Sequence, residues 1–155
     1  MRRGRAAFLA AGLAACRPQQ GPAPPPAARA LVVVDSPSGR STAVEAEVAR
    51  RPEELERGLM FREVLAPGTG MLFVFPDTSE HVFWMKDTPA PLDMLFVDEG
   101  GVVVGVVERA EPFTTSPRTV GRPSRYVLEV PAGFASARGI RAGDRVRIDW
   151  RGGGR

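Results

Sequence analysis

The stretch "MLFVFPDTSEHVFWMKDTPAPLDMLFVD", residues 71–98, decides the fold. It contains three unbroken apolar runs: MLFVF (71–75), VFWM (82–85) and MLFV (94–97). Runs of this length, bounded by turn residues, read as strands covered on both faces. Between the second and third runs, DTPAP (87–91) is a rigid turn, and Leu92-Asp93 leads straight back into a strand.

The chain on either side carries mostly β signals. LVVVD (31–35) reads as a short strand. AVEAEVA (43–49) alternates strictly, with Val44, Ala46 and Val48 on one face and Glu45 and Glu47 on the other. RPEELERGLM (51–60) reads as a short helix. Pro52 suits its first position, Glu53 and Glu54 suit the positive end of the helix dipole, and Gly58 suits the stop. DEGG (98–101) turns into VVVGVVE (102–108), where Gly105 predicts a bulge or a close approach. RYVLEV (125–130) is a further strand. PAGFASARGI (131–140) is a second short helix capped by Gly139, and DRVRIDW (144–150) alternates again. The class expected is α+β: mostly antiparallel β, a small barrel or strongly curved sheet of about seven to eight strands, with two short helices. Length supports one domain with one modest core.

The N-terminal segment has a different character. A basic start (Met1 to Arg5) precedes an apolar run (6–15) too short to span a bilayer, which suits a secretory signal. LAAC (13–16) closes it and resembles the lipobox of bacterial lipoproteins, in which the cysteine is lipidated and becomes the mature N-terminus. Residues 1–15 are thus expected to be a signal peptide and Cys16 the membrane anchor. Residues 17–30, rich in Pro, Ala and Gln, read as an extended tether. The globular domain then spans 31–150, and 151–155 form a frayed tail. Such a protein faces the periplasm from the cell envelope, the outer membrane being favoured where there is one.

Charge narrows the partners. Setting aside Arg2, Arg3 and Arg5 leaves 18 basic against 18 acidic residues, with no lysine-rich stripe, so nucleic acid is not an expected partner. Cys16 is the sole cysteine and His81 the sole histidine, so the usual zinc sites cannot form. No G-x-S-x-G or Ser-x-x-Lys pattern is present.

Two constellations remain. The first surrounds Lys86, the single lysine of a chain otherwise basic through arginine. With Trp84 as a wall and Arg62, Asp87, Thr88 and Asp93 as polar groups, it forms a candidate ligand site at a sheet rim. A lysine beside apolar walls and a carboxylate can bind an anion, and Arg does not replace its compact charge. The structural alternative is a Lys86–Asp93 pair closing the turn. The second is methionine: Met60, Met71, Met85 and Met94 fall within 35 residues, with His81 in the same span. Thioethers are soft ligands for Cu(I), and Met equally fills irregular core gaps. ERAEPFTTSPRTVGRPSR (108–125) is a long connection that could fold over the Lys86 rim as a lid, with Phe113 as its anchor.

RGLMFRE (57–63), GMLFVF (70–75), FWMKDTPAPLDMLFVD (83–98) and GIRAGDRVRI (139–148) together resemble a bacterial and archaeal family known as domain of unknown function 192. The family's usual pattern has Asn after the lysine, where this chain has Asp87. The resemblance implies a compact, mostly β domain, often exported, and implies no activity. Three functions therefore stand at this stage. The first is a non-enzymatic ligand-binding or accessory module centred on Lys86 and Asp93, without a cofactor. The second is a Cu(I)-binding protein. The third is an enzyme with Asp93 as base and Lys86 as electrostatic stabiliser.

Overall fold

The computed structural model describes residues 28–151. The segment expected to be a signal peptide, Cys16 and nearly all of the expected tether lie outside the described residues, as does most of the expected C-terminal tail. Seven strands and two short helices follow in order: β1 (Arg29–Asp35), β2 (Ser41–Ala49), α1 (Pro52–Arg57), β3 (Thr69–Glu80), β4 (Leu92–Val97), β5 (Val103–Ala110), β6 (Pro123–Pro131), α2 (Phe134–Arg138) and β7 (Arg145–Arg151). They build one mixed sheet in the order β5-β4-β6-β3-β2-β1-β7. Only β2 and β3 run parallel, joined by the crossover that holds α1; the other pairs are antiparallel. The ladder is not closed, so the curved-sheet form of the expectation holds rather than the barrel. Its two edge strands nevertheless meet at one corner, through an isolated bridge between Val102 and Arg145.

Strand periodicity sorts the side chains into two cores. The first takes residues from all seven strands and from α2, among them Val32, Val44, Leu72, Leu95, Val103, Leu128 and Val146. The second lies on the other face of β3, β4 and β6 and contains Met71, Phe73, Met94, Phe96 and Val127. Leu59, Met85 and Ala90, from the connections, cover it. This double cover explains the apolar runs: every residue of β4 is buried, because neither face meets water.

The run VFWM departs from expectation. It is not a strand but an extended segment that forms one bridge, Phe83 to Arg118. Its neighbour is the Pro- and Thr-containing connection 111–122, which offers no continuous ladder. The period of two persists: Phe83 and Met85 turn inward, while Val82 and Trp84 are 60% and 52% exposed. The chain length is taken up by β3, which continues to Glu80 past an irregularity between Val74 and Ser79. Pro76 lies in that irregular stretch, where a missing N–H is tolerated.

Gly105 does what its place in a strand suggested, in both senses. The β4–β5 register shifts beside it, and a Cβ at Gly105 would lie 2.6 Å from Val120 Cβ. Gly105→Ala is therefore expected to destabilise the domain by about 1–3 kcal/mol through overpacking. Urea denaturation reads this directly; an unchanged midpoint would show that the 119–121 segment gives way.

Candidate functional site

The turn around Lys86 is held by its backbone. The Thr88 N–H donates to the Met85 carbonyl (3.2 Å) and the Thr88 hydroxyl to the Lys86 carbonyl (3.0 Å). Two neighbouring segments clamp it. The Phe61 N–H donates to the Asp87 carbonyl (2.7 Å), and the Met85 and Phe113 N–H groups bond with Thr114 and Thr88 carbonyls. Asp87 sits at φ 51°, a left-handed conformation that Asp and Asn tolerate best, so the Asp-for-Asn exchange suits the turn. The connection 111–122 thus grips the turn through main-chain bonds, while the Phe113 side chain is 69% exposed.

Lys86 itself is exposed, with its ammonium 5.9 Å from the centroid of the Trp84 ring. Among the described residues it forms no ion pair, and the structure does not bring it to Asp93. The sheet explains why. Asp93, Leu95 and Val97 point to the first core, whereas the Lys86 turn covers the second. A surface cation with one loose ring contact contributes little. Lys86→Arg is expected to change stability by less than about 0.5 kcal/mol, as read by urea denaturation.

Asp93 is completely buried. Its Oδ1 accepts the N–H groups of Arg109 (2.8 Å) and Gly133 (3.0 Å), and its Oδ2 accepts that of Ala135 (2.9 Å). Arg109 lies at φ 50° where two residues of β5 oppose Asp93, and Gly133 and Ala135 begin α2. One carboxylate therefore pins a β-bulge and a helix start together. Arg62, a third member of the expected group, pairs elsewhere. Its guanidinium meets both carboxylate oxygens of Glu47, at 2.7 and 2.5 Å, and that hydrogen bonding holds the Glu47 carboxyl below its usual range.

The methionines divide between core and surface. Met71, Met85 and Met94 are buried in the second core, and Met60 is half-buried after α1. Among the described residues no group of three or more His, Cys, Asp or Glu side chains is placed to hold a metal ion.

A cavity of about 230 Å³ opens between α1 with its following turn and residues 81–84. Phe73 and Phe75 of β3 form its floor, Phe83 and Trp84 a wall, and Met60 and Thr88 contribute to the lining. His81 stacks on Phe75 at 3.6 Å between centroids, and among the described residues its buried Nε2 has no hydrogen-bond partner. At the base stands Glu129, 4% exposed. In the ladder it lies between Met71 and Met94, and among the described residues its carboxyl has neither a hydrogen bond nor an ion pair. Burial alone pushes its pKa from 4.5 up to about 8, because nothing replaces the water lost by the charged form. The cavity thus gathers Trp84, Thr88, Met60 and His81 from the two expected constellations, and adds Glu129, which sequence reasoning did not single out. The signal was present in RYVLEV, where one acid interrupts an apolar strand.

Residues 33–148 match the family DUF192, described as an uncharacterized ACR, and the chain belongs to that family. No curated protein matches it. A crystal structure from Sinorhizobium meliloti 1021, described as a "putative transcription regulator", is similar at 38% identity and a TM-score of 0.77, over 79% of this chain and 95% of that one. A protein of unknown function from Novosphingobium aromaticivorans DSM 12444 is similar at 35% identity and a TM-score of 0.72, over 76% of this chain and 83% of that one.

Proposed function

We propose that this member of the DUF192 family is an exported, lipid-anchored binding module that holds a small ligand in the cavity beside Trp84. The observation that carries the reading is Glu129. A buried carboxyl without a partner is costly, and a cavity with aromatic walls and one such group is the common form of a small-molecule site. The exposed Trp84 and Val82 at its mouth add apolar surface that a ligand would cover. Asp93 is already engaged by three backbone amides, so the reading does not assign it to a base. The description "putative transcription regulator" printed for the Sinorhizobium relative is not carried over to this chain, whose charge balances once Arg2, Arg3 and Arg5 are set aside. Export and anchoring rest on the basic start, the short apolar run and LAAC ending at Cys16.

Ligand-observed NMR with a set of cationic, anionic and neutral fragments tests the cavity, with Met60→Trp as the blocked control. Binding lost in that variant supports the reading; binding of no fragment, or binding indifferent to Met60→Trp, refutes it. Met60 and His81 both line the cavity, so a Cu(I) titration belongs in the same series. Labelling of cells with radioactive palmitate, lost on Cys16→Ser, tests the anchor.

A further inference from the structure

Resting on that cavity reading, we infer that the ligand is a small organic cation, an ammonium group on an apolar body, seated against the Glu129 carboxylate. Three features point the same way. The walls are aromatic: Phe83 meets Phe73 and Phe75 edge-to-face, at 5.0 and 6.1 Å between centroids, and Trp84 adds an indole. Ring faces attract cations, and Trp84 already has the Lys86 ammonium near its ring. Among the described residues the acid at the base has no counter-charge of its own. Finally, a volume of about 230 Å³ suits one ring-sized body.

The charges facing Glu129 are few. Its ladder neighbours on β3 and β4 are methionines. From α1, Glu56 and Arg57 reach the exposed mouth and offset each other. From residues 81–88, His81 is in the wall, while Lys86 and Asp87 belong to the turn outside it. An anionic ligand would meet Arg57 at the rim and His81 in the wall, but would also face the acid within. A cation instead converts a neutral, unpartnered carboxyl into a paired carboxylate, and one proton leaves to solvent as it binds. Binding therefore strengthens with pH until Glu129 ionises unaided at about 8. His81 is the other titratable side chain in the wall, so Glu129→Gln is needed to assign the pH dependence to the acid.

The test uses the full chain in detergent with Trp150→Phe, so that emission reports Trp84; Trp150 lies outside the cavity. Benzylammonium and its neutral counterpart benzyl alcohol are titrated at about pH 6 and about pH 8. The ionised fraction of Glu129 rises from roughly 1 in 100 to roughly 1 in 2 over that interval, so benzylammonium affinity should rise about fifty-fold. Glu129→Gln should weaken it at least about tenfold and remove most of the pH dependence. Equal binding of alcohol and ammonium without a pH effect overturns the cation inference and leaves the cavity reading standing. No response to either compound overturns both.

Discussion

Glu129→Gln is expected to stabilise the domain in mild base and to leave its stability in acid nearly unchanged. The unfolded chain releases the Glu129 proton near 4.5, whereas the folded chain holds it until about 8. Between those values the unfolded state binds fewer protons, so stability falls as pH rises, and it levels off above about 8. At about 1.4 kcal/mol per pH unit, the interval corresponds to a loss on the order of 4–5 kcal/mol. Glutamine has nearly the same shape and does not titrate. Urea unfolding of both proteins at several pH values, between about 5 and about 9, isolates this residue from every other titrating group. Parallel curves would mean that the folded carboxyl ionises at an ordinary pH, and the site would lose its chief physical distinction.

Asp93→Ala is the second large effect, and its sign does not depend on any ligand. Removing the carboxylate strands the amides of Arg109, Gly133 and Ala135. A buried donor left without a partner costs about 1–3 kcal/mol, so a total loss of about 3–5 kcal/mol is expected after partial relaxation. Asp93→Asn should recover only part of this. Its oxygen can keep the two amides held by Oδ1, but its NH₂ would then face the Ala135 N–H, donor against donor. Hydrogen exchange should quicken at Arg109, Gly133 and Ala135 before it does at β1 or β2. A variant with unchanged exchange at those amides would show that water replaces the carboxylate there.

Much of this architecture was legible in the residues. Alternation in AVEAEVA, continuous apolar runs at 71–75 and 94–97, and the glycines at 58, 105 and 139 each carry a local cause that survives in the fold. VFWM misled because an apolar run reports burial, not a ladder. Its inward residues are buried against the second core, but its neighbour is a proline-containing loop. The polar group around Lys86 was assembled by closeness in sequence. Asp93 lies only seven residues on, yet strand alternation sends it through the sheet to the other face. Glu129 was hidden for the converse reason. An acid in a strand is unremarkable if one face meets water, and the two-sided cover of β6 follows only from its central place between β4 and β3. Long-range pairing of that kind has no local signature.

The position of β1 also bears on mechanics. It is antiparallel to β2 on one side and β7 on the other, and its pairing extends back to the Ala28 carbonyl, which accepts the Val48 N–H at 2.7 Å. A pull on the preceding residues, directed along the strand, loads both ladders in shear at once. The hydrogen bonds then share the tension instead of opening one after another. A domain tethered through that end would withstand tugging better than one hung from an edge strand.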